Sequence, residues 1–191
     1  MRKKSHISLA RYIVKHTSDE NLRKHWLSFC VGSILPDCKP SFIYKRHAIE
    51  TTFPEVKRSI ERLINGKQNK RRYYLNLGQV THHVADYFTF PHNRTYSGGL
   101  REHCGYEEKL MHRLREYLTG GDAEKNMEPK EQFASPESLY DFIAQKHEKY
   151  LGHTINMEED IRHIVSVNRQ LVEGISDLFQ KTRQKHPVCH S

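Results

Sequence analysis

Two pairs of candidate metal ligands stand out in the sequence, each with a four-residue spacing. His82 and Asp86 form one pair, and His103 and Glu107 form the other. Residues four apart on a helix project from the same face one turn apart, so each pair can direct an imidazole and a carboxylate toward one point. Such ligands suit zinc, with manganese and iron as alternatives. Two such pairs on neighbouring helices predict a metal site between them.

Four further candidates extend this series over the first 107 residues. His92 follows Asp86 by six residues, just past a proline that ends the predicted helix. Asp37 lies in a turn bounded by glycine and proline, His47 follows it by ten residues, and His6 lies on the first predicted helix. A single such pair arises easily by chance among 14 histidines, whereas an ordered series is harder to dismiss. The following histidines are interpreted as surface or packing residues: His16, His25, His112, His147, His153, His163, His186 and His190.

Helical periodicity runs through nearly the whole chain, and no convincing strand alternation occurs. We therefore predict an all-α, single-domain multi-helix bundle over residues 1–191, with about six or seven helices. The metal-site region would span 1–119 and the C-terminal helices 135–185, with the polar segment 122–135 as a loop or lid. Helices are predicted over the following segments: 1–16, 18–31 with Ser18 as its cap, 53–64, 69–90, 100–118, 135–151 and 157–184.

Composition narrows the class of protein. The 191 residues carry a formal charge of +8, which favours acidic partners or simple solubility. Mean hydropathy is −0.81, and no apolar run approaches the ~20 residues of a spanning helix. The N-terminal stretch lacks an apolar signal-peptide core, so we expect a cytoplasmic protein. The four cysteines show no disulfide or CxxC spacing. Cys38 and Cys104 adjoin candidate ligands, where passive filling of space is the simpler interpretation.

The ordered ligand series resembles the zinc-dependent phospholipase C family, whose fold is shared with the S1/P1 nucleases. The family pattern is an early histidine, an aspartate in a turn, a histidine, an HxxxD pair, a histidine six residues later and an HxxxE pair. Residues 82 to 107 match this spacing. The upstream residues match by order and context, and the resemblance covers roughly residues 5–108.

The resemblance implies an all-helical fold around three zinc ions. The implied ligands form three sets: Asp37, His47, His82 and Asp86 for one zinc; His92, His103 and Glu107 for a second; and Asp86 with His6 for a third. Asp37 is also implied to orient or deprotonate the attacking water, and His83 is expected to point away. Secreted members complete the third site with an N-terminal tryptophan. The only tryptophan here is Trp26, so we expect two to three zinc ions and a third site without that ligand.

The implied function is hydrolysis of a phosphodiester, a lipid headgroup ester, by a zinc-activated water, with peripheral membrane contact as an accompanying expectation. A single-strand nuclease or nucleotide phosphohydrolase on the same site is one alternative, and a non-catalytic zinc-binding domain is another. Several side chains near the candidate ligands in sequence are assigned either to substrate contact or to ordinary surface and core roles: Lys39, Lys45 and Arg46 for phosphate, and Phe42, Tyr44, Tyr87 and Phe88 for a headgroup or base pocket.

Overall fold

The computed structural model describes residues 1–38, 47–152 and 156–185. All regular structure in these ranges is helical, which confirms the all-α prediction. The described ranges contain nine α-helices: α1 Lys3–His16, α2 Glu20–Lys24, α3 Trp26–Gly32, α4 Ile49–Asn65, α5 Lys70–Tyr87, α6 Leu100–Thr119, α7 Asp122–Lys125, α8 Pro136–Gly152 and α9 Met157–Lys185. Short 3₁₀ turns lie at Pro36–Cys38 and Phe90–His92.

The helix predicted over residues 18–31 is divided in two at His25. The cap is Asp19 rather than Ser18, because the Asp19 carboxylate accepts hydrogen bonds from the backbone N–H groups of Asn21 and Leu22. After the break, α3 buries Phe29 and leaves Trp26 48% exposed. This division and the short helix α7 account for nine helices where seven segments were predicted.

Helix α5 lies at the centre of the fold and contacts α3, α4 and α9. Its buried residues occupy nearly every face of the helix, among them Tyr73, Leu77 and Val84. As predicted, helix α9, which contacts α5, carries a long apolar stripe. The buried members of that stripe are Ile161, Ile164, Val165, Leu171, Val172, Ile175 and Leu178. Among the described residues these side chains belong to one continuous core, and the assignment of 1–191 to one domain stays a prediction.

The segment 122–135, expected to be a loop or lid, forms hydrogen bonds with α9. After α7, the Glu131 N–H donates to Gln170 Oε1 at 2.9 Å, and Gln170 Nε2 donates to the Pro129 carbonyl at 2.6 Å. Phe133 is buried against this helix, 5% exposed. These contacts make the segment part of the packed body. None of the described helices has both the length and the apolarity that a bilayer span requires.

Two glycines allow α3 and α5 to meet backbone to backbone. A Cβ atom at Gly78 would lie 2.2 Å from the Phe29 carbonyl oxygen, and one at Gly32 would lie 2.0 Å from the Leu75 carbonyl oxygen. Any larger residue would push the helices apart, because real Cβ atoms do not approach other atoms so closely. The close approach brings the end of α3 beside the middle of α5, where His82 lies.

We expect Gly78→Ala to destabilise the fold by ~3 kcal/mol or more, because the added methyl overlaps the backbone of α3. Gly105→Ala is the matched control, since a Cβ there meets nothing within 4 Å, and alanine in an open helix position stabilises by ~0.5–1 kcal/mol. Urea unfolding of both variants measures the difference. Equal stability of the two would show that α3 and α5 are not held at this distance.

Candidate metal centre

All eight predicted ligands lie close to one another at the N-terminal end of the fold's core. Helix α1 supplies His6, the Pro36–Cys38 turn supplies Asp37, and His47 comes directly before α4. The remaining five come from α5, the Phe90–His92 turn and α6. We call Asp37, His47, His82 and Asp86 the first ligand group, and His92, His103 and Glu107 the second ligand group.

The first ligand group is compact and buried. Asp86 Oδ2 lies 3.0 Å from His47 Nδ1 and 3.2 Å from His82 Nε2, and the two imidazole nitrogens are 3.0 Å apart. Asp37 Oδ1 lies 3.4 Å from His82 Nε2 and 3.8 Å from His47 Nδ1. Four potential donor atoms from three parts of the chain therefore face one small volume.

The tautomer of His82 is fixed from behind by the end of α3. His82 Nδ1 lies 2.8 Å from the Ser33 carbonyl oxygen, which can only accept, so Nδ1 carries the proton. The lone pair on Nε2 then faces the oxygens of Asp37 and Asp86. These lone pairs repel one another unless a cation or a proton lies between them. In metal sites, a backbone carbonyl often orients a ligating imidazole in the way that Ser33 orients His82 here. The donor set therefore fits a bound divalent cation.

The second ligand group meets at one oxygen of Glu107. Its Oε1 lies 3.1 Å from His92 Nε2 and 3.0 Å from His103 Nε2. The three potential ligand atoms lie within 4.8 Å of one another. His103 is 27% exposed at its side chain, so this group borders the solvent, as a site open to a substrate requires.

The other oxygen of Asp86 faces His6 and the Met1 amine, and the amine links Asp86 to the second ligand group. Asp86 Oδ1 lies 2.6 Å from the Met1 amine and 3.3 Å from His6 Nε2. That His6 nitrogen is fully buried and forms no hydrogen bond with any of the described residues. The Met1 amine also lies 3.1 Å from both His92 Nε2 and Glu107 Oε1.

The Met1 amine changes the expectation for the third site. That site was expected to lack the N-terminal tryptophan of secreted members, because the only tryptophan in the sequence is Trp26; in the structure Trp26 lies on the surface of α3. Here the ammonium group of Met1 lies between Asp86, Glu107 and His92, so a positive charge already occupies the space between the carboxylates. Deprotonated, the same nitrogen is a suitable metal ligand.

The electrostatics of the centre keep Asp86, His6 and His92 in their metal-binding forms. Burial opposes ionisation of Asp86, yet the Met1 ammonium and the nearby imidazoles hold its pKa well below the usual range. Burial lowers the pKa of His6 to about 3, so its imidazole is neutral at physiological pH. Burial lowers the pKa of His92 as well. In contrast, burial raises the pKa of Asp37, which brings that carboxylate closer to accepting a proton.

Comparison with known proteins agrees with this geometry. A family model described as zinc dependent phospholipase C matches residues 5–157, well over half of the chain. The chain belongs to the zinc dependent phospholipase C family. Comparisons with curated proteins and with solved structures gave no match. The matched range contains all eight predicted ligands, and the family's dependence on zinc identifies the metal for which these clusters are suited.

His83 lies closer to the centre of this phospholipase C family member than was expected. Its ring centroid is 5.1 Å from that of His47, and a nitrogen of His83 belongs with nitrogens of His47 and His82 to a group within 4.8 Å. Helical spacing along α5 indicated that His83 points away from His82. The spacing carried no information about His47, which reaches His83 from outside α5.

Asp160, on α9, holds the turn that carries His92. Its carboxylate accepts hydrogen bonds from the Phe90 N–H at 2.8 Å and from the hydroxyls of Tyr106 and Tyr150 at 2.9 and 2.7 Å. The residue is fully buried. Sequence analysis missed it because it lies in the C-terminal helices, beyond the residues that match the family model.

A second anchor of the same turn comes from α8. Asn93 Nδ2 donates to the carbonyls of Tyr87 and Thr89, both at 3.1 Å, so its Oδ1 accepts from His147 Nε2 at 2.9 Å. His147 is buried, 5% exposed, and its hydrogen bond gives it a specific positioning role. In the sequence, the signal for this positioning role is the place of His147 on the buried face of α8.

The other predicted contacts divide between the core, the surface and undescribed parts of the chain. Tyr87 and Phe88 are fully buried core residues, so they do not line a substrate pocket. Cys38 and Cys104 are exposed and belong to none of the ligand groups found in the described ranges. Several candidates lie outside the described residues: Lys39, Phe42, Tyr44, Lys45, Arg46, His153, His186 and His190.

We expect Asp160→Asn to change how stability depends on pH. Burial raises the pKa of Asp160 to about 6, above the ~3.9 of an exposed aspartate, so the folded protein binds this proton more tightly than the unfolded chain. Stability contributed by Asp160 therefore falls as the pH rises through about 6, and wild-type protein loses ~1 kcal/mol relative to the variant between about pH 5 and pH 7.

Urea unfolding at both pH values measures this difference, with Asp141→Asn as the control because Asp141 is exposed on α8. The control is expected to show no such change relative to wild type. A constant difference between wild type and Asp160→Asn across the range would contradict the buried, proton-binding carboxylate.

We expect Asp86→Asn to lose bound zinc and thermal stability together, because the bridge loses its charge and one of its two oxygens. Zinc at 100 times its Kd stabilises a protein by ~3 kcal/mol, and this increment should disappear in the variant. Metal analysis and melting curves with and without EDTA provide the readout, with Asp141→Asn again as control. Unchanged zinc content in Asp86→Asn would eliminate the bridging role.

Proposed function

We propose that this family member is a zinc-dependent phosphodiester hydrolase of the phospholipase C type, acting on a lipid headgroup ester. The observation that carries the proposal is the position of Asp86: one of its oxygens faces His47 and His82, and the other faces His6 and the Met1 amine, which itself contacts the second ligand group. A bridging carboxylate between two imidazole-containing groups is the arrangement that multinuclear phosphodiester hydrolases require. Family membership supports zinc as the metal and a phospholipid as the substrate.

The ligands would divide as the sequence predicted, with one addition. The first ligand group would hold one zinc and the second ligand group another. The Met1 amine would join His6 and Asp86 Oδ1 at a third position, where it replaces the tryptophan of secreted members. At the third position, His6 and Asp86 are already in the forms that bind zinc. The Met1 amine must first lose a proton, because the neighbouring carboxylates raise its pKa to about 10 despite burial.

When bound, zinc lowers the pKa of a coordinated water toward ~7 and offsets the charge of the phosphodiester. The protein's own contribution is to place a proton acceptor beside that water. Asp37 suits this role, because it lies at the edge of the first ligand group and burial raises its pKa. The carboxylate would orient the water and take up its proton. Ser33 would keep His82 in the tautomer that leaves Nε2 free of a proton.

The two alternative functions are less well supported. A nuclease reads single strands by stacking bases on aromatic side chains, and Tyr87 and Phe88, the described candidates for such stacking, are buried in the core. A non-catalytic zinc domain would have no need for a partly exposed second ligand group beside Asp37. Cytoplasmic location and peripheral contact with a membrane stay predictions.

Zinc-loaded protein is expected to hydrolyse bis(p-nitrophenyl) phosphate and phosphatidylcholine vesicles, and to act only weakly on single-stranded DNA. At saturating zinc, Asp37→Asn should lower kcat by ~10²–10⁴-fold, the range for loss of a general base, with a smaller loss of stability than in Asp86→Asn. Equal kcat in wild type and Asp37→Asn would reject this role for Asp37. Faster cleavage of DNA than of vesicles would favour the nuclease, and inactivity toward all three substrates would favour a structural metal site.

A further inference from the structure

A large polar groove lies between α4 and α5, outside the ligand groups. Its volume is about 930 Å³, within the range of sites that hold small organic ligands. Four exposed cationic side chains line it, namely Arg58 and Arg62 from α4, Lys67 from the connection, and Arg72 from α5. We call this feature, defined by these four residues, the basic groove.

The basic groove leads to the metal centre along one face of α5. Arg72, Asn76, Gln79 and His83 all line it and follow one another at helical spacings of three and four residues. From Arg72 to His83 the face spans 12 residues, a rise of ~16 Å at 1.5 Å per residue. His83 is the last of them, and its ring centroid lies 5.1 Å from that of the candidate ligand His47. The groove and the first ligand group are therefore neighbours.

The opposite wall is the facing side of α4. Because the connection between α4 and α5 is only residues 66–69, the two helices run in opposite directions. Glu55 and Arg58 thus lie toward the His83 end of the groove, and Arg62 lies toward its far end beside Arg72. Of the four cations of the basic groove, Arg58 lies nearest the end that adjoins the metal centre, and Arg62 lies one helical turn farther away.

The basic groove carries a net positive charge in the part of the protein that the structure describes, because its lining has four cations and one carboxylate, that of Glu55. None of its four cations forms an ion pair with a carboxylate in the described ranges. Arg62 directs two N–H groups to neutral oxygens of its own helix, the Arg58 carbonyl and Ser59 Oγ, and a guanidinium has five such donors. Like charges spaced four residues apart repel, as Arg58 and Arg62 must, so an anion between the walls would relieve this repulsion.

The lining also indicates what kind of anion would fit. Among the described residues, its apolar members are Val56 and Val80, and its one aromatic ring is the imidazole of His83, at the end beside the metal centre. Such walls offer little to an acyl chain, and the lining has no Phe, Tyr or Trp ring on which a base would stack. The floor carries a chain of amides, since Asn76 Nδ2 donates to Gln68 Oε1 at 2.7 Å and Gln79 Nε2 donates to Asn76 Oδ1 at 3.1 Å. The groove therefore suits a hydrophilic, phosphate-bearing group.

We propose that the basic groove binds a second phosphate of the substrate, beyond the phosphodiester that is cleaved, with Arg58 and Arg62 as its specificity-determining residues. This inference rests on the proposed hydrolase function, because the metal centre defines which phosphate is cleaved. The second phosphate belongs either to a lipid headgroup or to a soluble diester. The favoured substrates are in both cases diesters that carry an additional phosphomonoester.

Two substrate pairs test the proposal and separate its two sources. The soluble pair is thymidine 5′-(p-nitrophenyl phosphate) with and without a 3′-phosphate. The lipid pair is vesicles of phosphatidylinositol and of phosphatidylinositol 4-phosphate in a phosphatidylcholine background. Zinc-loaded wild-type protein is expected to show a kcat/KM at least about tenfold higher for the doubly phosphorylated member, since a hydrogen bond to a charged group contributes ~1.5–3 kcal/mol, and added salt should reduce the preference.

The variant Arg58→Gln/Arg62→Gln should lose the preference through a higher KM and keep the kcat of wild type for the singly phosphorylated member. Arg23→Gln/Arg115→Gln is the matched control, because it removes the same charge from exposed positions outside the groove and should keep the preference. A preference confined to the lipid pair assigns the second phosphate to a headgroup, and one seen in the soluble pair assigns it to a soluble diester.

The proposal is overturned if wild type treats both members of both pairs alike, or if the groove variant keeps the preference. Inactivity toward all four substrates would instead reject the proposed hydrolase function. In that case, calorimetric titration with thymidine 3′,5′-bisphosphate and thymidine 5′-monophosphate decides whether the groove binds phosphate. Tighter binding of the bisphosphate that is lost in Arg58→Gln/Arg62→Gln supports the groove, and equal binding by wild type and variant refutes it.

Discussion

A fully buried carboxylate is costly unless positive charge surrounds it, and Asp86 is such a carboxylate. Each of its oxygens faces a different set of nitrogen atoms, with His47 and His82 on one side and His6 and the Met1 amine on the other. Neutral imidazoles do not offset the free-energy cost of burying the negative charge of Asp86. The arrangement of helices α1, α5 and α6 around Asp86 is therefore best understood as a frame for cations.

The rest of the fold holds the ligands in place around this carboxylate. The close crossing at Gly32 and Gly78 brings the Ser33 carbonyl to His82, so helix packing determines an imidazole tautomer. On the other side, Asp160 from α9 fixes the turn that carries His92. Elements that contribute no ligand thus control the geometry of both ligand groups. This division of labour is typical of metal sites, where outer contacts orient the inner ones.

Local patterns in the sequence were sufficient for the fold class and for the ligand candidates. The apolar stripe of α9 and the four-residue spacings of α5 and α6 depend only on helix geometry, which a sequence displays directly. Contacts between distant segments were not accessible in this way. Three contacts illustrate this: the Met1 amine with Asp86, His83 with His47, and Asp160 with the Phe90 N–H. They join residues that are 36 to 85 positions apart, and no periodicity marks them. The split at His25 was missed because Trp26 and Leu27 continue an apolar pattern that α3 leaves exposed.

The central claim is that Asp86 and the imidazoles around it enclose metal ions. Anomalous diffraction from crystals grown with zinc, recorded on both sides of the zinc absorption edge, tests this claim most directly. We predict one peak within ~2.0–2.2 Å of ligand atoms of Asp37, His47, His82 and Asp86 and another at the same distance from His92, His103 and Glu107. Zinc-edge density found only at the protein surface, with these side chains hydrogen-bonded to one another and to water, would contradict it.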